Sequence, residues 1–184
     1  LLGNISPSYF IGKRIKNLDI REHGSGNAGT TNTLRVLGAK SALVVFAVDF
    51  LKGLIATQIG YRLGGLDFAL VAGIAVVFGH VFPVFLKFKG GKGVATSIGV
   101  LIGVFPIYGI IALLIGVALI MKTRLVSLGS IAGMATVPFI LYSARQNTKS
   151  IVTGAILAGF IMFTHRENIK RLINKTERRL GDKS

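Results

Sequence analysis

Apolar residues run along this chain in long blocks instead of recurring on one face of each helix. The blocks cover 41–60, 68–86, 94–121, 125–142 and 151–164, separated by short segments that are polar, basic or rich in glycine. A helix that is apolar all round belongs in a core or in lipid. A crossing of a ~30 Å hydrocarbon layer takes about 20 such residues. The pattern therefore predicts an all-α integral membrane protein. The opening "LLGNISPSYFIGK" has only about twelve apolar-leaning residues, too few for a crossing. It reads as the tail of a first span whose beginning lies upstream. A cleaved signal peptide is not expected, because it shows neither the basic start nor the small-residue cleavage pattern.

The block 94–121 would be roughly 42 Å long as one helix. Pro106 sits near its middle, after Gly103 and Phe105, and splits it into 94–105 and 107–121. Charge supports the split. With it there are seven spans, and the segments 13–40, 87–92, 122–124 and 166 onward share one side with 18 of the 22 Lys and Arg. Only Arg62, Arg145 and Lys149 face the other side, and Lys52 lies within a span. Unsplit, the two sides would carry 11 and 10. Basic loops stay in the cytoplasm, so the expectation is a seven-transmembrane-helix bundle of short helices. Its 18-charge side is expected to be cytoplasmic.

Composition narrows the function classes. The chain has 184 residues, a single-domain length, with residues 166–184 as a basic cytoplasmic tail. Its net charge is +15, but it is 51% hydrophobic with a mean hydropathy of +0.65, which argues against a nucleic-acid partner and for membrane lipids. It has no Cys, and its three His, at 23, 80 and 165, do not form a metal-ligand spacing. No metal and no cofactor are expected. Gly is 24 of 184, roughly twice the average share. Small residues let helices approach in lipid, and that accounts for most glycines outside the loops.

Three polar clusters fall on the basic side: "GSGNAGTTNTLR" at 24–35, "KFKGGKG" at 87–93 and "HREN" at 165–168. Gly24, Gly26 and Gly29 allow backbone turns that bring N–H groups to a ligand. Ser25, Asn27, Thr30, Thr31 and Asn32 add donors, and Arg35 offers a planar fork for phosphate. Gly90, Gly91 and Gly93 surround Lys92 just before a helix, an anion-binding arrangement. His165, Arg166 and Asn168 add more donors. Each cluster read alone is also a turn or a helix end at headgroup level, and "GGKG" is not a P-loop. Together the set is rich in donors, poor in acceptors, and suits phosphate. Asp49 and Lys52, at i and i+3 within a span, are expected to neutralise each other. His80 reads as a packed, hydrogen-bonded residue. Ser127 and Ser130 share one helix face and would cap that helix or line the site. The stretch from Ile169 to Lys183 alternates apolar and basic residues and reads as a short helix lying on an anionic leaflet.

The order "GSGNAGTTNTLR", "DFLKG", "GHVFPVFLKFKGGKG", "HREN" resembles the bacterial acyl-phosphate:glycerol-3-phosphate acyltransferases, the PlsY family, along nearly the whole chain. The resemblance implies transfer of an acyl chain from acyl phosphate to the 1-hydroxyl of glycerol 3-phosphate, giving lysophosphatidic acid. It further implies catalytic roles for Ser25, Lys92 and His165. Substrate-binding roles fall to Gly24, Gly26, Asn27, Thr31, Arg35, Gly90, Gly91, Gly93, Ser130 and Asn168. Ser25 and its glycine loop would hold the phosphate of the donor. Arg35, Lys92, His165 and Asn168 would bind glycerol 3-phosphate or steady the reacting groups. An upstream enzyme that forms acyl phosphate is an implied partner.

An acyl phosphate is already activated, so positioning and charge stabilisation suffice. The reading is direct attack by the acceptor hydroxyl, with a phosphate oxygen of the donor taking the proton. Its rival is an acyl-Ser25 intermediate with His165 as base. A soluble-type acyltransferase would show His and Asp five residues apart, but Ala28, Phe85 and Lys170 follow the three His at that distance. A transporter of phosphate esters is the alternative from another class. It would place its site near the bilayer midplane, often between internal repeats, and no repeat is evident.

Overall fold

The computed structural model describes residues 1–182, so Lys183, the end of the basic tail, lies outside the described residues. The described chain is helical without strands and divides into two compact units, residues 1–104 and residues 105 onward.

The first unit holds α1 (Pro7–Lys16), α2 (Thr30–Leu37), α3 (Ala39–Val81) and α4 (Val94–Val104). Pro7 opens α1 at the position where a missing N–H costs nothing. Asn17, in the left-handed region at φ 51°, closes it. α3 is a hairpin. Gly64 and Gly65 leave helical geometry, and the φ of 67° at Gly65 is cheap only for glycine. The two limbs then run back along each other: a Cβ on Gly60 would come 2.6 Å from Phe68 O, and one on Gly73 would come 3.3 Å from Thr57 Cγ2. The blocks 41–60 and 68–86 are therefore two limbs, and the second stops at Val81, five residues before the apolar run does. α4 packs against the first limb through a glycine seam. Gly53 lies on the Thr96 carbonyl and Gly99 on that of Phe50, so the two backbones approach with no side chain between them.

The second unit holds α5 (Pro106–Thr123), α6 (Val126–Ser143), α7 (Thr148–Thr164) and α8 (Arg166–Ile173). Pro106 is the first residue of α5, so the block 94–121 is broken where its proline stands. Gly116 and Gly133 bring α5 and α6 together, and Gly154 seats α7 against Val137 and Leu141. Met134, Leu141, Leu157 and Ile161 fill the centre, each at most 1% exposed. In both units large apolar side chains also point outward, among them Leu43, Phe68, Ile107 and Phe139. In water such a surface would aggregate; in lipid it faces its own kind.

Ala39–Leu86, Pro106–Thr123 and Val126–Ser143 are long and apolar enough to cross a bilayer. Thr148–Thr164 with Arg166–Ile173, bent by 65°, is a fourth candidate. α4, with 11 residues, is about 16 Å long. These lengths show an all-helical membrane architecture without establishing seven crossings.

The tail departs from its expectation. The helix ends at Ile173, and the residues after it turn back toward the start of α6 instead of continuing as a surface helix. Leu180 N–H donates to Arg124 O at 2.7 Å, and the Arg124 guanidinium donates to Leu180 O at 2.6 Å.

Candidate active site

In the first unit the glycine-rich stretch is a loop held from below by one carboxamide. Gly24 and Gly26 take φ of 64° and 72°, which the turn requires. Asn32, on α2 and 1% exposed, accepts the Ser25 N–H at 2.7 Å through Oδ1. Its Nδ2 donates to the carbonyls of Ile20 and His23, both at 3.0 Å. A Cβ on Gly24 would overlap Asn32 Oδ1, so that glycine is needed for space as well as for φ. Ser25 is left exposed on a fixed backbone. Thr31 and Arg35 sit on α2, the latter in its last turn, and both are half-buried.

The second glycine cluster folds onto the first. Gly90 N–H donates to Val81 O at 3.1 Å and Gly91 N–H to His80 O at 3.2 Å, which turns the chain back over the end of α3. The Gly90 carbonyl then accepts both the Ala28 N–H and Asn27 Nδ2, each at 3.3 Å. Gly93, at φ 89°, precedes α4, so half-buried Lys92 stands at the N-terminal end of that helix. A cation beside a helix N-terminus is an arrangement that attracts anions.

Arg21 adds a third tie. It chelates Asp19 through two nitrogens, donates to Leu86 O at 2.8 Å, and lies 5.1 Å over the Tyr9 ring. The Arg21 hydrogen bond holds the Asp19 carboxyl at about 2, against the opposing effect of burial.

In the second unit His165 closes α7 and begins α8, at the bend. Its Nδ1 lies 2.8 Å from Ile161 O, which can only accept. The ring proton therefore sits on Nδ1, and Nε2 is the basic nitrogen. Asn168, three residues on and buried, donates through Nδ2 to Glu177 Oε1 at 2.6 Å. Ser127 Oγ donates to the same oxygen at 2.8 Å, and Arg171 Nε donates to Oε2 at 2.7 Å. Burial opposes the charge on Glu177, but these three donors hold its carboxyl below the usual carboxylate range. Ser127 thus binds the tail. Ser130 follows on the next turn of α6, half-buried. Arg166, read with the donors, lies 4.9 Å over the Phe163 ring and donates to Phe163 O at 3.3 Å.

The residues expected in the first two clusters are thus brought together in one unit, and His165 and Asn168 come together in the other. Two contributors were not singled out in the sequence: the Asp19–Arg21 pair and Glu177. Asn32 was read only as one donor among several, and nothing local marks it as the side chain that holds the loop from below. The tail acid was legible only as one of the few carboxylates among basic residues.

A helical chain with apolar outer faces and two polar, glycine-rich loops stitched together at its helix ends is an integral membrane protein. A family model for glycerol-3-phosphate acyltransferase matches residues 1–175. A glycerol-3-phosphate acyltransferase of Thermoanaerobacter sp. (strain X514) is 54% identical over 186 residues, covering all of this chain and 93% of that protein. One of Alkaliphilus metalliredigens is 46% identical, with 100% and 93% covered. The crystal structure of PlsY, an integral membrane glycerol 3-phosphate acyltransferase, in its glycerol 3-phosphate form superposes with a TM-score of 0.93 at 39% identity, covering 98% of this chain and 91% of that one. Its lysophosphatidic acid form gives a TM-score of 0.91 at 38% identity, with the same coverage. The chain belongs to the glycerol-3-phosphate acyltransferase family. This membership sets aside the transporter alternative.

Proposed function

We propose that this membrane glycerol-3-phosphate acyltransferase takes its acyl group from acyl phosphate and delivers it to the 1-hydroxyl of glycerol 3-phosphate, releasing phosphate and lysophosphatidic acid. The observation that carries the reading is the stitching of Ala28 and Asn27 to the Gly90 carbonyl. It joins an exposed serine loop to a lysine at a helix N-terminus, and both ends present donors to anions. Two phosphorylated substrates need such donors, and a thioester donor would leave part of them without a partner.

The acceptor hydroxyl attacks the acyl carbon. The new ester C–O bond forms as the bond from that carbon to the bridging phosphate oxygen breaks. The hydroxyl proton passes to an oxygen of the departing phosphate. Gly24, Ser25, Gly26 and Asn27 are assigned to the donor phosphate. Lys92, with Gly90, Gly91, Gly93, Thr31 and Arg35, is assigned to the phosphate of glycerol 3-phosphate and to the charge that develops on the reacting oxygen. In the second unit, Ser130 and Asn168 are assigned to substrate binding, and His165 is assigned as a catalytic residue through Nε2. The polar loops face the cytoplasm of a bacterial cell, where glycerol 3-phosphate is dissolved, while the acyl chain stays in lipid. An enzyme that forms acyl phosphate would supply the donor.

The test is the purified chain in detergent micelles with glycerol 3-phosphate and either palmitoyl phosphate or palmitoyl-CoA. Lysophosphatidic acid and phosphate from the acyl phosphate alone is the expected result. Product from the CoA ester alone overturns the donor assignment. A trapped acyl-Ser25, or ping-pong kinetics, overturns direct attack in favour of a covalent route.

A further inference from the structure

Beneath the lysine loop lies a buried ionic cluster that the reaction above does not use. Asp49, Lys52 and His80, on the two limbs of α3, are 1%, 4% and 6% exposed. Lys52 Nζ lies 2.7 Å from Asp49 Oδ1 and 2.7 Å from His80 Nδ1, and donates to Ile5 O at 2.8 Å. It also lies 3.4 Å from Gly3 O. Asp49 Oδ1 lies 3.2 Å from Nδ1 and fences the ring from its other side. The imidazole is thus gripped at one nitrogen, with its other edge pointing at the loop.

That other edge meets glycine. A Cβ on Gly91 would fall on His80 Nε2 and come 2.7 Å from Cε1. A Cβ on Gly90 would fall on the His80 carbonyl. The same carbonyl receives the Gly91 N–H at 3.2 Å. Both residues before Lys92 therefore rest directly on His80, by ring and by backbone. Paired charges inside a membrane helix bundle are costly and add little to stability over apolar residues of the same shape. What they do supply is a fixed position for the ring.

We propose that His80, clamped by Lys52 and Asp49, is a positioning residue for the Gly90–Lys92 backbone and thereby sets the affinity for the phosphate of glycerol 3-phosphate. This rests on the assignment of that loop to that phosphate. Removing the ring leaves the loop unsupported, so the KM for glycerol 3-phosphate rises while the chemical step and the KM for the acyl donor hold. Adding a methyl at Gly91 pushes the loop off an intact ring and raises the same KM. The two changes are opposite in volume, so combining them compensates.

The experiment measures both KM values, kcat and the thermal midpoint in micelles for His80→Ala, His80→Asn, Gly91→Ala, the pair H80A/G91A, and Lys92→Gln. The expected result is a KM for glycerol 3-phosphate about tenfold higher in each of His80→Ala and Gly91→Ala, and clearly lower in the pair than in Gly91→Ala, a non-additive cycle. His80→Asn, which keeps an acceptor for Lys52, lies between wild type and His80→Ala. An unchanged KM in both His80 variants, whatever their melting points, overturns the proposal. So does strict additivity in the pair. If His80→Ala does not fold, His80→Asn alone and combined with Gly91→Ala decides by the same criteria. A Lys92→Gln variant with an unchanged KM for glycerol 3-phosphate would instead show that the loop assignment itself is wrong.

Discussion

Replacing Glu177 by Ala tests whether the tail belongs to the folded second unit. The side chain is 6% exposed and accepts from Ser127, Asn168 and Arg171. Arg171, with a side chain 43% exposed, recovers its hydrogen bonds from water, so its loss costs little. Ser127 and Asn168 are buried, and each loses an acceptor, at about 1–3 kcal/mol apiece. The expected destabilisation is therefore about 2–6 kcal/mol, large against the total stability of a typical domain. Glu177→Gln keeps an oxygen for Ser127 and Asn168 and loses mainly the Arg171 pairing, so it should cost about 1 kcal/mol. The assay is thermal unfolding in micelles of wild type and both variants, repeated as pH is lowered. The carboxyl of Glu177 titrates below its ordinary 4.5 in the folded chain. Its stabilising effect is then complete above 4.5 and is lost as pH falls below that value through the folded pKa. Glu177→Gln should lack this part of the acid sensitivity. Equal melting of Glu177→Ala and wild type at neutral pH would refute the reasoning, because it would mean the tail is not docked as described.

Four further outcomes are expected. Asn32→Asp sets a second oxygen against the Ile20 and His23 carbonyls, so acyltransferase activity should fall on the order of tenfold or more while circular dichroism in micelles stays helical. Asp19→Asn should remove the stability that wild type loses between pH 3.8, the ordinary carboxyl value, and about 2, read as a flatter melting-temperature profile over that range. Gly99→Ala drives a methyl into the Phe50 carbonyl and should cost about 1–3 kcal/mol by overpacking. Gly159→Ala meets nothing within 4 Å and should melt at or slightly above wild type.

The sequence by itself determined the class of structure and where most helices break. The break between the apolar blocks 41–60 and 68–86 and the proline at 106 act locally: each fixes what its own few residues can do, so the two limbs of α3 and the α4–α5 break were legible. The basic loops also marked the segments rich in anion donors, and the order of their motifs pointed to the family. Tertiary structure alone decided which of those groups share a scaffold. Asn32 holds Ser25 across seven residues, and Gly90 holds Ala28 across sixty-two. No periodicity encodes either contact, because backbone carbonyls and amides are the same at every position. The tail went the other way. Its alternation of apolar and basic residues is what a surface helix would show, yet one carboxylate with three donors within reach outweighs that pattern and folds the chain back. A local pattern states a preference; buried hydrogen bonds, costly to leave unmade, settle where the chain goes.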